Sequence, residues 1–394
     1  MGTALFAVAA VTLYMGDRGS FFAKLWADGQ ARNVSYWELL AVAFGFDSDP
    51  DVLKRARSQP EVVEPVKDYV EKRVSPTRIE TGKVKIAEWQ TAVAGIEKKY
   101  GVPANLLVAI WGIESNFGKT MGDKSVVGSL ATLTKAGYRA DYFNGELLAA
   151  LEIMRDGKIA KAQMVGSWAG AMGQVQFMPS SYLTYAVDHD GDGRKDIWNS
   201  IPDALASTAN FLKESGWRRD VDWGYEVKIP TNFDFAAAWK KKNLTLADWA
   251  KLGLQRADGK PFPRPGEKAR FYLPAGGAGP AFLVLKNFDV IKRYNNADSY
   301  ALAVAHLADR ISGKDAFISP WPENVVPLSR SERKELEALI AEKVLQSGKP
   351  ADKGGHAMRL AIIKFQKTEG LLADGHPSRA LLQRLRDWSP ASSS

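Results

Sequence analysis

Glu114 is the one carboxylate in "AIWGIESNFGKT", residues 109 to 120, an otherwise apolar run. Pro103 can open a helix and Gly118 can close it, so "ANLLVAIWGIES" reads as a helix apolar on nearly all sides. Such a helix belongs in a protein interior. Glu114 falls in its last turn. Apolar burial disfavours the charged form of a carboxyl, and the negative end of the helix dipole does the same. A carboxyl held protonated near neutral pH is what a general acid needs. The plainer readings of the same residue are a partly exposed Glu at a fraying helix end, or one bridged to Lys119.

A second stretch, "GSWAGAMGQVQFMPSSY" at residues 166 to 182, holds neither acid nor base. Its glycines allow backbone to approach a ligand closely. Ser167, Gln174 and Gln176 offer neutral hydrogen bonds, while Trp168 and Phe177 offer flat apolar faces. That mixture suits a neutral polyhydroxylated ligand such as a sugar chain, although tight packing through small residues has the same composition. A third stretch, "DHDGDGRKDIWN", begins like an EF-hand loop. Asp188, Asp190 and Asp192 alternate, Gly193 makes the turn and Arg194 would give a backbone carbonyl. Asn199 stands at the twelfth place instead of a bidentate Glu, and Asp196 and Asp203 can compensate. Crowded acids repel without a cation, so a structural Ca2+ is expected here, against a solvated acidic turn balanced by Arg194 and Lys195.

The elements that must carry these motifs are mainly α. "VSYWELLAVAF", "VKIAEWQTAVAGIEKKYG" and "DSYALAVAHLADRI" have three- and four-residue apolar spacing. Asp298 reads as the cap of the last of these. "YEVKIP", "ARFYL" and "AFLVL" are short β-like runs, with "PAGGAGP" between the last two, and predict a small sheet inserted in a helical protein of the α+β class. "ISPWPENVVP" reads as a linker. Beyond it lie three amphipathic helices, the first capped by Ser329 or Ser331 and the third with Pro377 near its first turn. The expected divisions are 1–20 as an export signal or anchor, 21–318 as the main region, 319–328 as linker and 329–390 as a small helical domain. Ala4 to Met15 is apolar but short for a membrane span, and no basic residue precedes it.

With 394 residues, 45% hydrophobic and 25% charged, the chain is globular and long enough for two or three domains. Its formal net charge of +8 admits an anionic partner. The absence of cysteine excludes disulfides and thiolate metal sites. His189, His306, His356 and His376 are scattered without HExxH spacing, which argues against catalytic zinc. His306 lies in an apolar helix as a core or surface histidine. No basic and aromatic motif points to nucleic acid.

"GIESNFGKTMGDKSVVGSLATL", "GSWAGAMGQVQFMPSSY", "VDHDGDGRKDIWNSIPDALASTANFL" and "VIKRYNNADSYALAV", in this order, resemble the membrane-bound lytic murein transglycosylase B family over about residues 21 to 318. The tail, through "FQKTEGLLADGHPSRALLQRL", resembles a peptidoglycan-binding domain, although "KPADKGGHAMRL" departs from that pattern. The resemblance implies a lysozyme-like helical core with a small β-containing insertion. It implies cleavage of the β-1,4 bond between N-acetylmuramic acid and N-acetylglucosamine without water, leaving 1,6-anhydro ends. It places the catalytic carboxyl at Glu114 and substrate contacts at Ser167, Gln176, Phe177, Tyr294, Asn295 and Tyr300. Phe211 stands where it leads one to expect Tyr, and Gln174 where it leads one to expect an aromatic residue, so one sugar subsite is expected to differ. The last metal ligand it implies falls on Asp203.

One acid suffices in such a reaction, because the sugar's own C6 hydroxyl replaces water. Expected partners are peptidoglycan glycan strands, in the periplasm, with no cofactor needed for the chemistry. A monomer is expected, with membrane association through the N-terminus. A hydrolytic muramidase and a non-catalytic wall-binding scaffold remain as alternatives, separated by product end groups and by a Glu114→Gln variant.

Overall fold

The computed structural model describes residues 16–58, 64–157, 159–241, 243–323, 326–345 and 355–388. The expected signal or anchor at 1–20 therefore lies mostly outside the described residues. None of the described helices is long and apolar enough to cross a membrane. The chain divides into two units, Met1–Gln59 with Glu80–Ser215 and Pro60–Ile79 with Gly216–Ser394.

The first unit is built around the helix Ala104–Ser115. Leu106 to Gly112 and Ser115 are all buried on it, as its all-round apolar sequence requires. Burying a Leu, Ile or Val side chain contributes about 1.5–3 kcal/mol over leaving it exposed, so this helix is a principal source of the unit's stability. Pro103 precedes it in extended backbone. It packs against Gln90–Tyr100 and Ile201–Glu214. The "VKIAEWQ…" run is two helices, not one: Pro76–Glu88 stops and Gln90–Tyr100 starts at Trp89. Tyr36–Gly45 opens with a capping box, in which Ser35 and Glu38 each satisfy the other's backbone N–H. Two short strands, β1 (Lys124–Ser125) and β2 (Val165–Gly166), pair antiparallel and bring the chain after Glu114 to the Gly-rich stretch.

The second unit carries the predicted sheet. Strands β3 (Gly224–Lys228), β4 (Gln255–Arg256), β5 (Arg270–Tyr272) and β6 (Ala281–Val284) form one antiparallel sheet in the order β4-β3-β6-β5. All four residues of the central β6 are buried, which explains why "AFLV" lacks polar alternation. The helix Asp298–Ile311 packs against Val66–Arg73 and Lys286–Tyr294. Its N-cap is Ala297, so Asp298 is not the cap. Asp298 stands in the first turn instead and pairs with Lys292 at 2.8 Å and Arg270 at 3.4 Å.

The tail helices Arg330–Leu339, His356–Thr368 and Arg379–Asp387 enclose their own core, including Leu336, Ile362, Phe365 and Leu382. Ser329 caps the first, in a capping box with Glu332. The tail also docks on the sheet: Trp239 Nε1 donates to the Asp374 carbonyl at 3.0 Å, and Gly277 N–H donates to the Asp374 carboxylate at 2.7 Å. Ile363 joins the sheet's own apolar cluster. The sheet and these tail helices lie in the same compact unit.

His306 is a core residue, its ring stacked on Phe317 at 3.7 Å between centroids. Burial, helped by Arg310, pushes its pKa down to about 3. An unfolded His takes up a proton near pH 6.5, so the unfolded state binds more protons between about pH 3 and 6.5. This contribution to stability is full above the unfolded value and is lost as pH falls through that window. The melting temperature should therefore drop between about pH 7 and pH 5, and the drop should shrink in His306→Phe. An identical pH dependence in the variant would remove His306 as its source.

Candidate functional site

Glu114 is the penultimate residue of its helix, half-buried, with no basic residue in the last turn. The helix does not run to Gly118. Asn116 (φ 51°), Phe117 (φ 58°) and Gly118 (φ 83°) are left-handed in succession. Asn and Gly tolerate this region, but Phe117 stores strain there of order 1–3 kcal/mol. What holds it is packing: the Phe117 ring covers Gly112, where a Cβ would lie 2.7 Å from Cζ, and meets the Trp111 ring edge-on at 5.6 Å.

The Gly-rich stretch is zipped to the chain that follows Glu114. Beyond the β1–β2 pairing, Gln176 Nε2 donates to the carbonyls of Met121 and Gly173, each at 3.0 Å. Gln176 is half-buried and also left-handed, at φ 52°. Gly122 lies so close to Gly166 that a Cβ would meet its carbonyl oxygen at 2.1 Å. Ser167 is half-buried, and its Oγ accepts from Ala171 N–H at 3.0 Å, which leaves its own O–H to donate. Glu114, Ser167, Gln174 and Gln176 thus come from segments fastened to one another.

Gln174 is placed differently from the sugar-facing role read in the sequence. It is 8% exposed, with Oε1 accepting from Trp111 Nε1 and Nε2 donating to the Trp198 carbonyl, each at 2.9 Å. Phe177 and Phe211 are likewise interior rings, 5.9 Å apart, with Tyr185 edge-on to Phe211 at 4.9 Å. Their burial replaces the expected open stacking face.

A second acid, Glu146, is buried near the same stretch and was not singled out by the sequence. Both its oxygens are engaged by Ser180, from N–H at 2.9 Å and Oγ at 2.7 Å, at the start of Pro179–Tyr185. Asp123, the nearest acid after Glu114 in the chain, is exposed. Within the second unit, Tyr294 ends the helix Lys286–Tyr294 and is half-buried, Asn295 caps it and is exposed, and Tyr300 is buried in the following helix.

In the acidic loop, one carboxylate oxygen each from Asp188, Asp190 and Asp203 lie within 4.8 Å of one another. Asp203 is fully buried and accepts from the N–H groups of His189 at 2.7 Å and Asp196 at 2.9 Å. Burial pushes its pKa up, a push opposed by those N–H bonds. Asp192 is not among these three; its carboxylate accepts from Arg194 N–H at 2.8 Å, a local turn bond of the kind Asp188 also makes with Gly191 and Gly193. Three convergent oxygen donors, one of them buried, fit a hard cation such as Ca2+.

Comparison with known proteins shows the family. The model of the transglycosylase SLT domain matches residues 18–309. Membrane-bound lytic murein transglycosylase B of Escherichia coli is 34% identical over 250 residues, 62% of this chain and 66% of that protein's length. SltB3 of Pseudomonas aeruginosa, solved in complex with NAG-NAM-pentapeptide, is 42% identical and superposes with a TM-score of 0.86 over 94% of this chain and 99% of its own. It has also been solved with NAG-anhNAM-pentapeptide. The E. coli lytic transglycosylase Slt35, solved with calcium, is 29% identical, with a TM-score of 0.62 over 75% of this chain and 93% of its own. The chain, with its lysozyme-like helical fold, belongs to the SLT-domain family of lytic transglycosylases of peptidoglycan.

Proposed function

We propose that Glu114 acts first as acid and then as base in cleaving the β-1,4 bond between N-acetylmuramic acid and N-acetylglucosamine. The observation that carries this reading is the helix end itself: a half-buried carboxyl, with no basic residue in its turn, beside a strained left-handed run. Glu114 donates its proton to the bridging oxygen as the C1–O bond breaks. Positive charge develops at C1 of the muramic residue. The carboxylate then takes the proton of that sugar's C6 hydroxyl, whose oxygen attacks C1 and closes the 1,6-anhydro ring. The proton returns to Glu114, and no water is consumed. An intramolecular nucleophile can be worth about 7–11 kcal/mol in ideal geometry.

A hydrolase of the usual kind would need a second carboxylate as base or nucleophile. Glu146 is committed to Ser180, which favours the single-acid route. The anhydro sugar bound by SltB3 supports the same product. Ser167 and Gln176 are assigned to hydrogen-bonding the sugar's hydroxyl and N-acetyl groups, with Tyr294 and Asn295 as further substrate contacts. A digest of sacculi should yield muropeptides with anhydro ends. Reducing ends in their place would make the protein a muramidase.

The loop of Asp188, Asp190 and Asp203 is assigned a structural Ca2+, whose charge would offset three converging carboxylates. Calcium should raise the melting temperature, and calorimetry showing no binding at millimolar concentration would retire the assignment. Periplasmic location follows from the polymer cut. The tail is assigned to wall binding, and the protein is taken to act as a monomer, with the N-terminal apolar run serving export or membrane association.

A further inference from the structure

We propose that Gln174 is a positioning residue for Glu114, an inference that rests on the acid–base reading of Glu114. The residue grips the helix on both sides of the acid. Its Oε1 holds Trp111 Nε1 at 2.9 Å, one turn before Glu114, and its backbone carbonyl accepts from the Oγ of Ser115, the next residue along. Ser115 is fully buried and its Oγ also accepts from Gly118 N–H at 2.9 Å, so the same contact fixes the start of the left-handed run. Gly118 supplies the slot for the amide: a Cβ there would lie 2.1 Å from Gln174 Oε1.

The other end of Gln174 is anchored on the acidic loop. Its N–H donates to the Ile197 carbonyl and its Nε2 to the Trp198 carbonyl, both at 2.9 Å. Trp198 N–H donates to Asp196 Oδ1, and Asp196 N–H to Asp203 Oδ2, each at 2.9 Å. A continuous path of hydrogen bonds thus joins Asp203 to the turn that carries Glu114. The backbone of Gln174 carries one branch of it, from Ile197 to Ser115; the second branch, from Trp198 to Trp111, needs a side chain that both accepts and donates. An aromatic ring at 174 would break that second branch at one end or both. On this proposal the orientation of Glu114 depends on an amide whose oxygen and nitrogen are both engaged by protein groups.

The test is steady-state kinetics on full-length Gln174→Met and Trp111→Phe, with Glu114→Gln assayed in parallel. Gln174→Met keeps length and volume but has no amide; Trp111→Phe removes the indole N–H partner together with part of a buried ring, so its melting temperature is measured alongside. Each should lower kcat about 10- to 100-fold, the cost of misplacing a reacting group, with KM unchanged. The alkaline limb of the pH–rate profile, where Glu114 loses the proton it must donate, should move in both, and the double variant should lose no more than the worse single one. A normal kcat, or a loss carried by KM alone, overturns the proposal. If Gln174→Met does not fold, Trp111→Phe decides by the same readouts. An active Glu114→Gln overturns the parent reading instead, whereas an inactive one beside normal kcat in the other two variants sinks only this inference.

Discussion

Glu114→Gln yields a folded protein that no longer cleaves peptidoglycan. The substitution keeps shape and volume at a half-buried helix end, so stability should change little. What it removes is the proton. An amide cannot protonate the bridging oxygen, and it cannot later accept a proton from the C6 hydroxyl, so both halves of the reaction lose their catalyst. General acid–base catalysis is worth about 10²–10⁴-fold, and one group serves both steps here, so the loss should reach at least the upper end. A zymogram, together with circular dichroism of the variant, separates lost chemistry from lost fold. Near-normal activity would take Glu114 out of the mechanism, and with it the argument for a single-acid reaction.

Asp203→Ala should be the most damaging change in the acidic loop. Asp203 is fully buried, and its two oxygens accept from His189 and Asp196, with Asp190 N–H farther away at 3.4 Å. Truncation takes the carboxylate partner from two half-buried N–H groups, at the low end of about 1–3 kcal/mol each, or about 2 kcal/mol in all. The cost is partly offset by relief of burying a carboxylate, which is why the figure is not larger. The variant should also lose any thermal response to calcium. Exposed Asp192→Ala, outside the cluster, should keep that response. If both variants behaved alike, the cluster would not be the cation site.

The parts legible in the sequence were those governed by local rules. Pro103 and an apolar run of twelve residues define the buried helix, and β-rich runs split by "PAGGAGP" define β5 and β6. What escaped depends on contacts between distant residues. Gln174 looked like a sugar ligand because its partner, Trp111, lies 63 positions away. Phe177 and Phe211 read as stacking faces because each alone is a surface-compatible ring, and packing with residues distant in sequence, each other and Tyr185 among them, buries them. The helix ends at Ser115 and not nearer Gly118 because packing on Gly112 pays for a left-handed Phe117, which no local propensity would suggest. The break at Trp89 carries neither Gly nor Pro, so periodicity ran through it. Asp298 has capping chemistry, yet Lys292 and Arg270 draw it into ion pairs.

The most direct test of the single-carboxyl, water-free route is digestion of purified sacculi in ¹⁸O-labelled water, with mass spectrometry of the new glycan ends. The route predicts 1,6-anhydro ends carrying no label, because the sugar's own C6 oxygen attacks C1. Reducing ends that contain the heavy oxygen would show that water is the nucleophile and would contradict it.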